Sequence, residues 1–317
     1  MKVSILIATY KRAESLYETL LSFSRLAARG RWEVLVVDNA GDEKTKKTVR
    51  NFAAKLHVHY HVEKRRGKNI ALNAAISKAK GDIFIFTDDD IIVKEDWLKE
   101  IREGVNRWPQ YSVFGGRVRP YNPELIPGEY KSLESYPYLF GVADWDIPEG
   151  EYGYDKVFGP NMVIRSAIFQ KGYRFDERVG PGSGNYIAGG ETDFLQRLYK
   201  DGYKPVYLPK AVVYHRIRPE QCDWKWILNR AFRGGRSLAW RGRNESSVFI
   251  FGVPRYVYRA YAGTLGSWFW SLFFNTGRLK ELRYNINKFH GIFYQCLMMK
   301  KEMRRFREVN RLRQADR

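Results

Sequence analysis

The chain is poor in cysteine and has no long, strongly apolar run. Its 317 residues include two cysteines, Cys222 and Cys296, which excludes a disulfide framework and a zinc site of clustered thiolates. The apolar run Val3–Ala8 is shorter than the core of a signal peptide, and it leads to Lys11-Arg12 instead of a small-residue cleavage site. We therefore expect a protein of a reducing, cytoplasmic compartment.

Acidic residues are also few, and their deficit is concentrated in the last third of the chain. The formal net charge is +20, and residues 222–317 contain 20 Lys and Arg against 6 Asp and Glu. A region this basic indicates an anionic partner, which is either a membrane surface, a phosphate-bearing substrate or a nucleic acid. The 44% hydrophobic content excludes a disordered chain.

The most informative stretch is an apolar run that ends in three consecutive carboxylates, Asp88-Asp89-Asp90. The run Ile83–Phe86 predicts a strand buried on both faces of a parallel sheet. Ligands of open α/β sheets bind beyond the carboxyl ends of such strands. Because adjacent carboxylates repel one another, an all-oxygen set here favours Mg²⁺ or Mn²⁺ bound together with substrate phosphates. The alternative is a solvated acidic turn or a helix cap.

Changes in sequence pattern and composition along the chain predict three parts. Strand and helix patterns alternate through residues 1–110, which predicts βαβ units. Aromatic, Gly-rich and Pro-rich segments follow in residues 111–221. Residues 222–317 form the basic third part, in which aromatic residues at helical spacing predict helices.

Seven short motifs follow one another along residues 1–221. They are Ser4–Arg12, Val36–Asn39, the Arg66-Gly67 turn with Asn73–Ile76, Asp88–Asp90, Gly159–Met162, Gly190–Asp193, and Tyr207 with His215. Each motif is weak alone, but seven in order are specific. With these motifs in this order, the chain resembles the family-2 glycosyltransferases.

The resemblance implies an α/β fold of the GT-A type, a Rossmann-like nucleotide-binding fold with a mostly parallel central sheet and, here, a helical basic extension. Residues 1–110 would be the nucleotide-sugar half and residues 111–221 the acceptor half. The implied reaction transfers a sugar, with inversion, from a nucleotide-diphosphate sugar to an acceptor hydroxyl. UDP is the nucleotide that the resemblance favours, although GDP and dTDP donors also occur in the family.

The resemblance also assigns site residues. The implied nucleotide-binding residues are Thr9, Tyr10, Arg12, Asp38, Arg66, Lys68, Asp88 and Asp89. The implied ligands of Mn²⁺ or Mg²⁺ are Asp90, Asp88 and His215. The implied acceptor-binding residues are Gly159, Asn161 and Met162. Structural alternatives are an Asx turn at Asp38, a solvated basic turn at Arg66 and Lys68, and a structural hydrogen bond at His215.

The catalytic base has two candidates in the string Gly190-Glu191-Thr192-Asp193. Family members commonly carry two adjacent acids at the start of this helix. Alignment on the final Thr-Asp-Phe gives Glu191 the base position and puts Gly190 in place of the preceding acid. We expect Glu191 to be the base, with Asp193 as the alternative. The Gly-rich loop Gly180–Asn185 is expected to close over the donor.

The basic third part contains an uncharged 18-residue stretch, residues 260–277, which is rich in aromatic residues and flanked by Arg and Lys. The Gln-x-x-Arg-Trp motif of processive synthases is absent, which argues against repeated addition. The stretch either lies in a membrane interface, packs on the core or spans a bilayer, and its dilution by polar residues favours the interface. We expect peripheral attachment to the inner face of the cytoplasmic membrane, with a glycan or lipid-linked acceptor in envelope polysaccharide or glycoconjugate assembly.

Two other functions compete with this interpretation. A sugar-nucleotide pyrophosphorylase has an amino-terminal Gly-rich phosphate loop, where this chain has Ala8–Arg12. A basic nucleic-acid-binding protein would use the net charge and the 15% aromatic content. Because the acid triplet would repel a phosphate backbone, we predict no nucleic-acid partner.

Overall fold

The structure, a computed structural model of the chain, describes residues 1–27, 30–131, 133, 136–184, 186–242 and 248–315. For residues 303–315 it describes the backbone alone. The chain divides into two compact units, Met1–Pro219 and Glu220–Arg317. The division of residues 1–221 into two halves stays a prediction.

Parallel strands with intervening helices form one half of the central sheet in the first unit. The elements are β1 (Val3–Thr9), α1 (Ala13–Phe23), β2 (Trp32–Asp38), α2 (Glu43–Asn51), β3 (Val58–Val62), α3 (Lys68–Lys78) and β4 (Ile83–Thr87). The strands lie in the order β3-β2-β1-β4 and each neighbouring pair is parallel. This is the βαβ arrangement that the alternating patterns predict.

The other half of the sheet is mixed. Its elements are β5 (Ile91–Val93), α4 (Trp97–Arg107), β6 (Val113–Pro120), α5 (Gly128–Lys131), α6 (Tyr136–Phe140), β7 (Gly150–Glu151), β8 (Met162–Arg165), α7 (Ser166–Gln170), α8 (Gly190–Lys200) and β9 (Pro205–His215). β8 runs antiparallel to β4 and β6, β9 runs parallel to β6, and β5 and β7 run antiparallel to β9. The predicted α/β class with a large central sheet is confirmed.

Both faces of the parallel strands are buried, which explains their uninterrupted apolar runs. Ile5 and Ile7 belong to the core that includes residues of α1 and α4, and Leu6 belongs to the core that includes residues of α3 and α8. All three side chains are 0% exposed. Consecutive residues of one strand therefore fill two separate cores.

A buried amide joins three elements of the mixed half. Asn161 Oδ1 accepts a hydrogen bond from Trp97 Nε1 at 2.9 Å, and Asn161 Nδ2 donates to the carbonyls of Arg117 at 3.0 Å and Ala211 at 2.8 Å. The β6–β9 pairing shifts register between Gly116 and Arg117. The amide therefore satisfies backbone carbonyls at the point where the ladder is irregular.

We expect Gly116→Ala to destabilise the first unit. A Cβ on Gly116 would overlap Asn161 Nδ2 and lie 2.5 Å from the Ala211 carbonyl oxygen. Overpacking in a filled core costs about 1–3 kcal/mol, and urea unfolding followed by circular dichroism measures that loss. The control is Gly128→Ala, where a Cβ would meet nothing within 4 Å. Equal effects of the two substitutions would contradict the role assigned to the close approach.

The second unit is helical, as predicted. Its elements are α9 (Trp224–Arg241), β10 (Phe249–Ile250), β11 (Val253–Pro254), α10 (Arg255–Phe274) and α11 (Leu279–Ala315). α9 and α11 meet at two glycines, because a Cβ on Gly235 would overlap the Lys288 carbonyl and one on Gly291 would overlap the Phe232 carbonyl. The two backbones therefore approach at a distance that only glycine permits.

The second half of α10 carries exposed aromatic side chains. Phe269 and Trp270 are each 63% exposed, and Phe273 and Phe274 are each 67% exposed. Among the residues that the structure describes, no helix has the length and apolar character needed to cross a bilayer.

Candidate functional site

The carboxyl ends of β1, β2 and β4 meet at one edge of the sheet, and the predicted site residues follow them. Thr9 ends β1 beside Asp38, which ends β2, and Asp88 follows β4. His215 ends β9 opposite Ile91, the residue after Asp90. The pairing of β5 with β9 thus places His215 beside the acid triplet, although the two are more than a hundred residues apart in sequence.

Asp89 has both carboxylate oxygens engaged. Thr9 Oγ1 donates to Oδ2 at 2.6 Å, and Arg12 Nη1 donates to Oδ1 at 3.0 Å. Burial and the charge of Asp90 raise the pKa of Asp89 to about 6, although Arg12 and Thr9 act in the opposite direction. Asp89 therefore anchors the loop after β1, and each of its oxygens already has a donor.

Asp90 presents a buried oxygen that, among the described residues, has no hydrogen-bond partner. Its Oδ2 accepts from Arg12 Nη1 at 3.1 Å, whereas Oδ1 lies 3.5 Å from His215 Nε2. Burial alone would raise the pKa of Asp90, but His215 and Arg12 outweigh it and hold the pKa below its ordinary value. The carboxylate is therefore ionised at neutral pH.

His215 is oriented by a backbone carbonyl. Its Nδ1 lies 2.6 Å from the Phe140 carbonyl oxygen, which accepts hydrogen bonds only, so Nδ1 carries a proton. Burial alone would lower the pKa of His215, but the charge of Asp90 raises it above the ordinary value. Nε2, on the side of Asp90, is the nitrogen that a neutral ring would offer to a metal.

These groups fit a divalent cation. A buried carboxylate oxygen without a hydrogen-bond partner is unfavourable unless an ion or water satisfies it, and Asp90 Oδ1 has this environment. Asp88, two residues earlier, is partly exposed, with 24% of its side chain accessible. Carboxylate oxygens with one imidazole suit Mn²⁺. The assignment of Asp88, Asp90 and His215 as the metal ligands stays a prediction.

Lys68 links the acid triplet to the start of α8. Its Nζ donates to Asp88 Oδ1 at 2.7 Å and to Glu191 Oε1 at 2.6 Å. Burial alone would lower the pKa of Lys68, but the two carboxylates outweigh it and raise the pKa. The lysine is therefore charged, and it brings two acids within reach of one ammonium group.

The two candidates for the catalytic base have different surroundings. About a fifth of the Glu191 side chain is exposed, and it packs on Gly159, where a Cβ would lie 2.9 Å from Glu191 Cγ. Asp193 is buried and forms an ion pair with Arg197 at 3.1 Å. Gly159 therefore makes room for Glu191, while Asp193 has a partner on its own helix.

Asp38 and Asn39 organise the loops that follow β2 and β3. Asp38 is fully buried and accepts from the backbone nitrogens of Ala40 and Asp42 and from Tyr60, each at 2.8 Å. A nucleotide base reaches this carboxylate only if the loop moves. The Asn39 side chain donates to the Glu63 and Arg65 carbonyls and accepts from the Gly67 nitrogen. Asn39 is thus a structural residue that its place in the Val36–Asn39 motif does not reveal.

The basic turn before α3 lies beside an exposed tyrosine and the Gly-rich loop. The Arg66 guanidinium is 5.1 Å from the ring centre of Tyr10, which is 40% exposed. The backbone nitrogen of Lys68 donates to the Pro181 carbonyl at 2.9 Å, and a Cβ on Gly182 would lie 3.2 Å from the backbone of Gly67. Asn185, the last residue of the predicted loop, lies outside the described residues.

The structure does not bring Asn161 and Met162 to the surface of the site. Both side chains are 0% exposed. Asn161 has its amide engaged by Trp97, Arg117 and Ala211, and Met162 belongs to the core beneath β8. The predicted acceptor contacts of these side chains do not fit this arrangement, because both side chains fill the interior.

A packing constraint explains the glycine that replaces the first acid of the family motif. A Cβ on Gly190 would lie 2.5 Å from Asn69 Nδ2. Asn69 is itself held by a hydrogen bond from Nδ2 to the Asp176 carbonyl at 2.8 Å. The sequence carries no periodicity that pairs these positions, which explains why sequence reasoning did not identify Asn69.

Comparisons with known proteins relate the chain to glycosyltransferases. Residues 4–159 match the family described as Glycosyl transferase family 2. A glucosyl-dolichyl phosphate glucuronosyltransferase of Haloferax volcanii is 24% identical over 245 residues, which cover 75% of this chain and 76% of that protein.

Two solved structures show the fold. TarS 1–349 of S. aureus, in complex with UDP-GlcNAc, has a TM-score of 0.57 at 16% identity and covers 93% of this chain and 92% of its own. The mannosyltransferase PcManGT from Pyrobaculum calidifontis, in complex with GDP-Man and Mn²⁺, has a TM-score of 0.59 at 17% identity, with 92% and 87% covered. The chain therefore has the GT-A fold.

We expect Asp90→Asn and Asp89→Asn to have different effects on metal binding. Asp90 offers a buried oxygen without a hydrogen-bond partner, whereas both oxygens of Asp89 are engaged. Asp90→Asn should weaken Mn²⁺ binding at least about tenfold, a change that isothermal titration calorimetry resolves. Asp89→Asn should mainly lower the melting temperature. If both variants bind Mn²⁺ as the parent does, the ligand assignment is wrong.

Proposed function

Because the chain belongs to glycosyl transferase family 2, we propose that it moves a sugar from a nucleotide-diphosphate sugar to an acceptor hydroxyl with inversion at the anomeric carbon. The observation that carries the proposal is the contact of one ammonium group with two acids: Lys68 Nζ lies 2.7 Å from Asp88 Oδ1 and 2.6 Å from Glu191 Oε1. The acid proposed to activate the acceptor thus adjoins the strand end at which a diphosphate would bind.

The donor is a nucleotide-diphosphate sugar, and we favour a UDP-sugar. The exposed ring of Tyr10, with Arg66 beside it, offers a stacking surface and a cation at the strand ends. Arg12 is held against the acid triplet by Asp89 and Asp90. The titles of the two solved structures name UDP-GlcNAc and GDP-Man, so the GT-A fold accommodates more than one nucleotide.

Glu191 is the proposed base. Its carboxylate removes the proton of the acceptor hydroxyl as that oxygen attacks the anomeric carbon, and the bond to the diphosphate oxygen breaks on the opposite face. The electron pair leaves with the nucleoside diphosphate, so one displacement inverts the centre. The Lys68 ammonium lies 2.6 Å from this carboxylate and orients it.

The leaving diphosphate gains negative charge during the transfer. A divalent cation held by Asp88, Asp90 and His215 would supply positive charge to offset it. Lys68 contributes a fixed positive charge from this chain.

We expect Glu191→Gln to lower kcat by about 10²–10⁴-fold with little change in donor affinity, because the amide cannot accept a proton. Release of nucleoside diphosphate from a panel of sugar nucleotides measures the rate, and the thermal shift with each donor measures binding. NMR of the product should show a β-linkage from an α-linked donor.

The matched control is Asp193→Asn, which removes the charge that pairs with Arg197. The main effect of this variant should be a loss of stability, with a smaller effect on kcat. If Asp193→Asn abolishes the reaction while Glu191→Gln retains it, Asp193 is the base. A product with retained configuration would contradict the single displacement.

We further propose that the acceptor is lipid-linked and that the second unit binds an anionic membrane surface. The name of the Haloferax volcanii relative includes glucosyl-dolichyl phosphate, a lipid-linked sugar. In the second unit, α10 exposes Phe269, Trp270, Phe273 and Phe274, and residues 222–317 carry most of the net positive charge. An aromatic face within a basic segment is typical of helices that lie in a membrane interface.

We expect the double variant Phe269→Ser/Phe273→Ser to bind vesicles at least about tenfold more weakly, because burying a phenylalanine is worth about 1.5–3 kcal/mol. Co-sedimentation with phosphatidylcholine vesicles, with and without phosphatidylglycerol, measures the affinity. The control is Tyr121→Ser/Tyr138→Ser, which removes two aromatic side chains of the first unit that are 55% and 54% exposed. No binding of the parent to the anionic vesicles at moderate salt would contradict the proposal.

A further inference from the structure

Among the described residues, a second cluster of metal-ligand side chains lies at the other end of the parallel strands. Glu33 is near the start of β2, His57 directly precedes β3 and His59 lies within it. Leu35 pairs with His59 in the parallel register, so residues 33, 57 and 59 are on one face of the sheet. Glu33 and Asp38 are about 16 Å apart along β2, at about 3.3 Å per residue.

Glu33 is a buried carboxylate with one oxygen fixed by donors. Its Oε1 accepts hydrogen bonds from Ser4 Oγ at 2.6 Å and from the backbone nitrogen of Lys80 at 3.0 Å. Its Oε2 lies 3.6 Å from His59 Nε2. Burial alone would raise the pKa of Glu33, but these hydrogen bonds outweigh it and lower the pKa. The ionised group is thus oriented through one oxygen and directs the other toward an imidazole, as metal-binding carboxylates are.

The two imidazoles complete a set of three ligands. The rings of His57 and His59 lie 4.5 Å apart between centres, at 71° to each other. One ligand atom from each of Glu33, His57 and His59 lies within 4.8 Å of the other two. Two imidazoles and one carboxylate are a frequent Zn²⁺ ligand set that leaves a fourth position for solvent.

The cluster is next to an open cavity, and cationic side chains lie near it. A cavity of about 390 Å³ opens beside His57 and is lined also by Lys2, Arg31 and Lys55. Lys2 Nζ lies 3.6 Å from Glu33 Oε1, the oxygen that does not face His59. These cations oppose a bare metal ion, so neutral imidazoles and an anion in the fourth position are the arrangement that the surroundings favour.

We propose that Glu33, His57 and His59 bind Zn²⁺ at a second metal site that joins the edge strand β3 to β2. In the part of the sheet that the structure describes, β3 is a terminal strand whose one neighbour is β2. A metal that bridges the start of both strands would hold this edge in register.

The test uses the full chain with Asp90→Asn, which weakens metal binding at the proposed active site. The metal-stripped protein is titrated with Zn²⁺ by calorimetry and with Co²⁺ by visible absorption. We expect one bound Zn²⁺ per chain, an intense Co²⁺ spectrum typical of four-coordination, and a higher melting temperature with Zn²⁺. His57→Gln and His59→Gln should each weaken Zn²⁺ binding at least about tenfold.

The matched control is His61→Gln, on the same face of β3 but outside the triad, with its ring centre 6.5 Å from that of His59. This variant should bind Zn²⁺ as the Asp90→Asn parent does. Equal melting temperatures of the metal-free variants verify that each is folded. Absence of Zn²⁺ binding, or binding that His57→Gln and His59→Gln leave unchanged, would overturn the proposal. Neither result bears on the transfer reaction, because the two sites share no residue.

Discussion

Mutual repulsion of four carboxylates at one edge of the sheet is the constraint on which the rest of the site depends. The acids are Asp88, Asp89, Asp90 and Glu191, the cations that offset them are Arg12 and Lys68, and the His215 imidazole lies beside Asp90. Removing a cation from a buried pair leaves an uncompensated charge that costs several kcal/mol. The starts of α1, α3 and α8 and the end of β9 therefore converge here, because each supplies a member of this set.

Buried side-chain amides hold the backbone around that charged set. Asn39 fixes the basic turn before α3, Asn69 ties α3 to the Asp176 carbonyl, and Asn161 satisfies two carbonyls where β6 and β9 shift register. An amide both donates and accepts without adding charge, so it connects loops beside the carboxylates without changing their balance. These hydrogen bonds fix the loops around Lys68, which lies between two acids.

The sequence predicts the strand-end acids because buried parallel strands leave a local signature, and Asp88 and Asp90 follow it directly. The class of fold and the helical second unit are confirmed on the same grounds. Contacts between distant residues have no such signature. Asn161 was predicted to bind the acceptor from a motif, yet it is buried, and nothing in its neighbouring residues marks the three partners that surround it. The cluster of Glu33 with two histidines depends on strand pairing, which the sequence does not display.

The glycine pair at the start of α8 shows how packing limits the side chains that this end of the helix can carry. Gly189 adopts a φ of +78° as the residue before the helix, and Asn69 occupies the space that a side chain on Gly190 would need. An acid at position 190 would displace Asn69 from the Asp176 carbonyl and loosen α3, which carries Lys68. With that acid absent, Lys68 contacts one carboxylate of α8, that of Glu191. The departure from the family motif thus leaves Glu191 and Asp193 as the candidates for the base, and Lys68 contacts the first of them.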